Sequence, residues 1–497
     1  MLNYIAFLLG KSYSFFHQTW FRRLSAALLI SIALLALLLP ALLNGYPLLS
    51  QDSATHLYSG KQGFLPVDRP YYYGFFIRQI SMNASLWLPV IVQAFFVYGI
   101  ILLFIRKYLG MPALKSILTT TLLILVLCGT TSLAVFTSYL LPDVFAGIGV
   151  LGVILLLGPP NTPLETVFLG GTVLFSASVH LSHVPLLSFT AFCCIFLGAW
   201  KTNWMRRLFK SSILILCIWL IIPTLNLIIF QKFVLSESSY VFLTARISQT
   251  GILKEFQEKH PLLVPKELVL EKEQIPLSAL TFLWNPSSPL YKNCPLPAKQ
   301  TENEPAYTCF RYKNRIYKTL LNDMLSDRII FQRLAWVSLI SWKDQLSSFH
   351  ITDLLMRDSK HSPGSELCKM VKFIYPAELG QFQQSAQFNR EMDYGIMNRL
   401  FFWNVLGGTF VLLISLGWKY PSRALVCILL LSISVNAALC GCLSDVSDRY
   451  QARILWLIPL LVFLSGYELL RPLYLNRNTH VSTVESSRKS VVPPKEY

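Results

Sequence analysis

The sequence predicts an all-α polytopic membrane protein with about ten transmembrane helices and a large loop domain between spans seven and eight. Apolar runs of about 20 residues recur along the chain, more than a soluble core could bury. Composition agrees, since 54% of the 497 residues are hydrophobic, 14% are charged, and mean hydropathy is +0.50. Lys and Arg collect in short turns between the runs. The formal charge of +17 therefore reports orientation in a membrane and implies no nucleic-acid partner. Zinc-type cysteine spacing and a Walker loop are missing, and the GxGxxG string at 147–152 lies inside an apolar span instead of in a turn leading into a helix, so a nucleotide-fuelled mechanism has no support.

Residues 1–23 carry Lys11, Arg22 and Arg23 and belong on the cytoplasmic side. They are too mixed for a cleavable signal, and the run over 24–43 is long enough to span. A seven-span module is expected over 24–230. Its spans are placed at 24–43, 85–105, 116–135, 144–157, 166–184, 185–200 and 211–230. The first external loop, 44–84, holds Asp52, and its 71–83 part reads as a short amphipathic segment at the interface. Next comes a polar block over 231–399, expected as an external domain. Three further spans fill 400–470, at 400–418, 424–443 and 454–470, before a basic cytoplasmic tail over 471–497. Both termini then lie in the cytoplasm, and the expected location is a cell membrane, the inner membrane of a bacterium.

Within the polar block, 310–349 has helical spacing, with Ile316, Leu320, Leu325, Ile329, Ile330 and Leu334 offering one apolar face. Cys294 and Cys309 could form a disulfide stabilising that region by ~3 kcal/mol where the surroundings oxidise.

Ionisable groups at a membrane edge are costly and so mark candidate sites. Asp52, Asp143, His180, His183, Asp445, Asp448, Arg449 and Arg453 all fall at the outer ends of spans, whereas the inner ends carry mainly Lys and Arg. Each has a plainer reading. Asp52 could be a solvated loop acid beside interfacial aromatics. Asp143 follows Pro142 and could simply cap a helix. His180 and His183 share a helix face, but two ligands fall short of a metal site. Arg449 and Arg453, four apart on one face, suit phosphate oxygens or belong to a polar turn.

With Asp52 in the first loop, Asp143 in SYLLPD and the DRYQARILWLIPL stretch from Asp448, the chain resembles the GT-C membrane glycosyltransferases. That superfamily includes the protein O-mannosyltransferases and the aminoarabinose transferases. The resemblance implies a polyprenyl-phosphate-linked sugar donor, hexose or pentose, and a glycan, lipid or protein acceptor. It matches Asp52 to the family's first-loop acid, Asp143 to the second-loop acid and the stretch from Asp448 to the arginine region that meets the donor phosphate. Such transfer needs a carboxylate to take the acceptor proton and cations to hold the leaving phosphate, so Asp52 is the candidate base and Arg449 and Arg453, with Arg69, are the phosphate candidates. His56, Tyr58, Tyr71, Tyr72, Tyr73, His180, His183 and Tyr450 become substrate-binding candidates. No cofactor is certain, and a divalent metal is left open. Two departures stand out. The first loop has one acid, DS, where the family commonly has the pair DE, and the large insert precedes span eight. The competing readings are a lipid or glycan transporter or flippase, and a non-catalytic assembly subunit.

Overall fold

The computed structural model describes residues 2–197, 204–268, 278–294, 304–351, 364–418 and 422–471. Among these, every regular element is helical, and one isolated parallel bridge pairs Leu48 with Tyr139. The chain begins with α1 (Leu2–Asn44), in which the expected mixed N-terminal segment runs without a break into the apolar stretch Trp20–Asn44. The first loop folds as α2 (Gln51–Gln62) and α3 (Tyr72–Ser81). Then follow α4 (Trp87–Leu109), α5 (Ala113–Thr130), α6 (Leu133–Ser138), α7 (Val144–Leu157), α8 (Pro163–Val179), α9 (His183–Leu197) and α10 (Trp204–Phe230).

The expected run over 116–135 divides at Thr131. That residue is extended, and its hydroxyl accepts the Leu133 N–H at 3.2 Å, ending α5 and starting α6. The short helices α7, α8 and α9 have 14, 17 and 15 residues and correspond to expected spans four to six, except that the expected 166–184 run ends at Val179 and α9 already begins at His183. Each is shorter than the ~20 residues that cross hydrocarbon directly. α7 is buried from Val144 to Leu155, which explains why it is apolar on every side.

The 231–399 block contains α11 (Ser239–Gln249), α12 (Ile252–Lys259), α13 (Ala279–Trp284), α14 (Glu304–Ser326), α15 (Arg328–Ser347), α16 (Glu366–Ile374) and α17 (Leu379–Gln384). It is not built around one core. Helices α11 to α15 enclose a second apolar cluster, including Phe256, Phe282, Phe310 and Tyr317, that takes only Val67 from the first loop. The later part, with Leu367, Val371, Ile374 and Phe382, belongs to the main core, and α16 packs on α2. The helical run over 310–349 breaks at Asp327, whose carboxylate accepts the N–H groups of Ile329 and Ile330 and caps α15. Leu320 and Ile330 of its expected apolar face are buried, while Leu325 and Ile329 are exposed. Cys294 and Cys309 are joined as a disulfide with Cα atoms 5.4 Å apart.

The chain ends with α18 (Gly395–Ser415), α19 (Arg423–Leu443) and α20 (Asp448–Arg471). The last begins six residues before the expected 454, which places Arg449 and Arg453 on its first two turns. Among the described residues, seven helices are long and apolar enough to cross a membrane: α1, α4, α5, α10, α18, α19 and α20. The protein is therefore an integral membrane protein, all-helical over its described residues. The tail over 472–497 lies outside the described residues.

Candidate functional site

The first loop is fixed in place by backbone and amide contacts. Ser50 and Ser53 form a reciprocal cap at the start of α2, and the Ser53 hydroxyl also donates to the Leu140 carbonyl at 2.9 Å. Leu48 exchanges backbone bonds with Ser138 and Leu140, so the segments leading to Asp52 and to Asp143 lie side by side. Helices α2 and α3 meet without room for side chains, because a Cβ on Gly60 would come within 2.2 Å of the Gly74 carbonyl oxygen. Gln93 of α4 donates to the Thr137 and Tyr139 carbonyls and accepts from the Tyr73 hydroxyl. Gln387, beyond α17, bonds both the N–H and the carbonyl of Leu49. Two loops that meet only through the fold thus form one rigid frame.

Within that frame the acids and arginines singled out from sequence converge. Arg449 is the centre. Its Nη1 donates to Asp52 Oδ2 at 2.5 Å, while Nη2 and Nε donate to Asp143 Oδ2 at 2.9 and 3.1 Å. Arg69 Nη2 holds the other oxygen of Asp52 at 2.9 Å, and its Nε reaches Asp68 at 2.8 Å. One turn below Arg449, Arg453 Nη1 donates to Asp143 Oδ1 at 3.2 Å. Its Nη2 meets Ser182 at 2.9 Å, Asn436 at 3.0 Å and the Cys440 sulfur at 3.2 Å. The Tyr450 ring lies beside both guanidiniums, 5.9 Å from that of Arg449 and 5.4 Å from that of Arg453. Three carboxylates face three guanidiniums, so the cluster is charge-balanced.

The plainer reading of Asp143 as a helix cap does not hold. It occupies the N-cap position of α7 but makes no side-chain capping bond, and both oxygens go to arginines instead. Asp143 and Arg453 have fully buried side chains, whereas Asp52 keeps 35% of its side chain exposed. The cluster therefore runs from a dry interior to an open edge. Burial pushes the Asp52 carboxyl upward, but Arg69 and Arg449 outweigh it and hold the group below the usual carboxylate range. Asp52 is ionised at pH 7 and, while both arginines hold it, a weak base.

The histidines line the same region. His180 and His183 do not share a helix face as expected, because His180 is the extended residue that ends α8 and His183 opens α9. Their rings still stack with centres 5.0 Å apart, His180 bonding Ser182 and His183 bonding the Ser176 carbonyl. His56, one turn after Asp52, packs edge-on against Tyr73 at 4.9 Å, and its buried Nδ1 has no hydrogen-bond partner. Burial, followed by the Arg69 charge, pushes His56 well below the ordinary imidazole range, so it is neutral at pH 7. The aromatic run is packed inside the protein. Tyr71, Tyr72 and Tyr73 are buried, with the Tyr72 hydroxyl on Asn226 and that of Tyr73 on Gln93, and Phe75 is the exposed ring of that run. Tyr58 packs on Phe64.

Sequence reasoning passed over Ser182, Asn436, Gln93 and Gln387. Asn436 and Gln93 had a signal, being amides within apolar spans, where polar groups are costly. Gln387 had none. Among the described residues, no three His, Cys, Asp or Glu side chains gather to hold a metal ion. Comparison with protein-family models, curated proteins and solved structures gives no match to this chain.

Proposed function

We propose that the protein is a GT-C-type membrane glycosyltransferase, moving a sugar from a polyprenyl-phosphate donor to a glycan, lipid or protein acceptor. In this reading the chain crosses the membrane about ten times with both termini cytoplasmic, and the cluster opens on the opposite face. The observation that carries it is Arg449 of α20 bridging Asp52 of the first loop and Asp143 of the second. A guanidinium fork suits a phosphate oxygen as well as a carboxylate. A donor phosphate that draws Arg449 and Arg69 toward itself would leave Asp52 free to accept a proton. The acceptor oxygen or nitrogen then bonds to the anomeric carbon, the carbon–oxygen bond to phosphate breaks, and Asp52 takes the acceptor's proton. The arginines balance the charge on the departing lipid phosphate. Tyr450, His180 and His183 flank the guanidiniums, and Tyr71 to Tyr73 support the loop from behind.

The test is a membrane assay with a panel of polyprenyl-phosphate sugars, comparing the wild type with Asp52→Asn. Transfer from one donor that the variant loses supports the reading. The closed, charge-balanced state of the cluster also favours a second reading, a gate in a lipid or glycan transporter. Lipid translocation without sugar transfer in the same vesicles would select that reading instead.

A further inference from the structure

The helix α15 belongs to a block that reads as solvated, yet it leaves apolar side chains uncovered over its outer side, Trp336 and Ile340 among them. Its inward face is accounted for. Ile330 is buried in the second core with Leu334 and Val337 against it, while Ser341 and Gln345 press on α19. Contact there is close enough that a Cβ on Gly441 would lie 2.6 Å from the Ser341 carbonyl oxygen. The neighbouring face carries Phe331, Ala335, Leu339, Trp342 and Leu346, spaced at intervals of four and three, which places them in one row. Phe331, Leu339 and Leu346 are 52%, 53% and 37% exposed.

What covers this row follows from where Trp342 points. Its indole N–H donates to the Ser434 carbonyl of α19 at 3.1 Å. Ser434 lies about nine residues short of Leu443, roughly 13 Å along the axis of a membrane-spanning helix. The half-buried member of the row therefore reaches well down beside a span. Nearby, Leu431 and Leu443 of α19 are also exposed. Gln345 bonds Ser447, the cap residue of α20, and Arg333 and Lys343 are exposed. Long basic side chains of this kind reach lipid phosphates from a helix seated at a membrane surface.

We propose that α15 is seated in the leaflet at the Leu443 end of α19, with the Phe331–Leu339–Leu346 row against lipid acyl chains. The second core would then be held to the membrane by its own helix as well as by the chain at its two ends. The test uses the full-length protein reconstituted into phosphatidylcholine vesicles containing a phosphatidylcholine with a diazirine on its acyl chain. After irradiation, the adducts are mapped by peptide mass spectrometry. Adducts are expected on Phe331, Leu339 and Leu346 at yields comparable with the exposed Phe410 of α18, and above those at Tyr312 of α14. Labelled α18 with unlabelled α15 would overturn the proposal, as would α15 yields no higher than that of Tyr312. Lipid protection of α15 together with α15-to-α15 protein crosslinks would also overturn it, assigning the row to a second copy of the chain.

Discussion

Two carboxylates in this protein have nearly the same partners and very different surroundings. Asp143 sits between Arg449 and Arg453, and Glu237 sits between Lys232 and Arg311. The Glu237 contacts are if anything shorter, at 2.7 and 2.6 Å. Yet its cations are over 40% exposed, so water and salt can replace either one. Around Asp143 there is no such substitute. Arg453 is wholly buried, with Ser182, Asn436 and Cys440 on its Nη2 and no hydrogen-bond partner on its Nε. Contact distance is thus a poor guide to what an ion pair does. The dry pair determines where two loops and a span must meet, while the wet pair adds little beyond surface charge.

The sharpest way to break this comparison is to remove one partner in each place. Asp143→Ala leaves two arginines facing each other, one with no route to water, and should cost about 3–5 kcal/mol. Thermal unfolding in detergent checks this, and a loss under 1 kcal/mol would put Asp143 in the same class as Glu237. Asp52→Asn tests the open edge of the same cluster. Because this side chain is partly exposed and the substitution keeps its size, folding should persist while sugar transfer falls by ~10²-fold or more. A folded variant with near-normal transfer would remove Asp52 as base. Arg449→Leu should weaken donor binding by about 1.5–3 kcal/mol, the scale of a charged hydrogen bond, and titration of donor into the purified protein measures it.

Acid should separate the two regions further. The Asp52 carboxyl is held below its unfolded value, so the stability it contributes is present above about pH 4 and is lost as pH falls through the folded value. Between pH 5 and pH 3 the wild type should lose more melting temperature than Asp52→Asn. An equal loss would mean that the two arginines do not hold this carboxylate in solution. The smallest effect belongs to Glu237→Gln, expected within about 1 kcal/mol of wild type and shrinking further in high salt.

Much of the candidate site was legible residue by residue. Membrane-edge charge is expensive, so Asp52, Asp143, Arg449 and Arg453 stood out in a chain with few charged residues. Their pairing was not legible. Arg449 lies hundreds of positions from both acids, and nothing local says that it will bridge them instead of waiting unpaired for a phosphate. The aromatic run shows the opposite limit. Three tyrosines in a row suggest a surface for a sugar or lipid, but α3 turns them inward, where Asn226 and Gln93 take two of their hydroxyls. The polarity of the 231–399 block suggests one external unit, yet its two described parts join different cores.

The set of apolar helices, and the end of the bundle where charge collects, can be read from the residues alone. Both follow from local physics: hydrocarbon admits only backbones that satisfy their own hydrogen bonds, and it excludes charge. Which charges meet, which aromatics are hidden, and which helix of the polar block keeps apolar side chains uncovered depend on long-range packing. Those outcomes depend on contacts between segments far apart in the chain, such as Gln387 with Leu49, Gly60 with Gly74 and Trp342 with Ser434. Periodicity places a side chain on a face of its own helix. Only the packing of another segment decides whether that face meets protein, lipid or water.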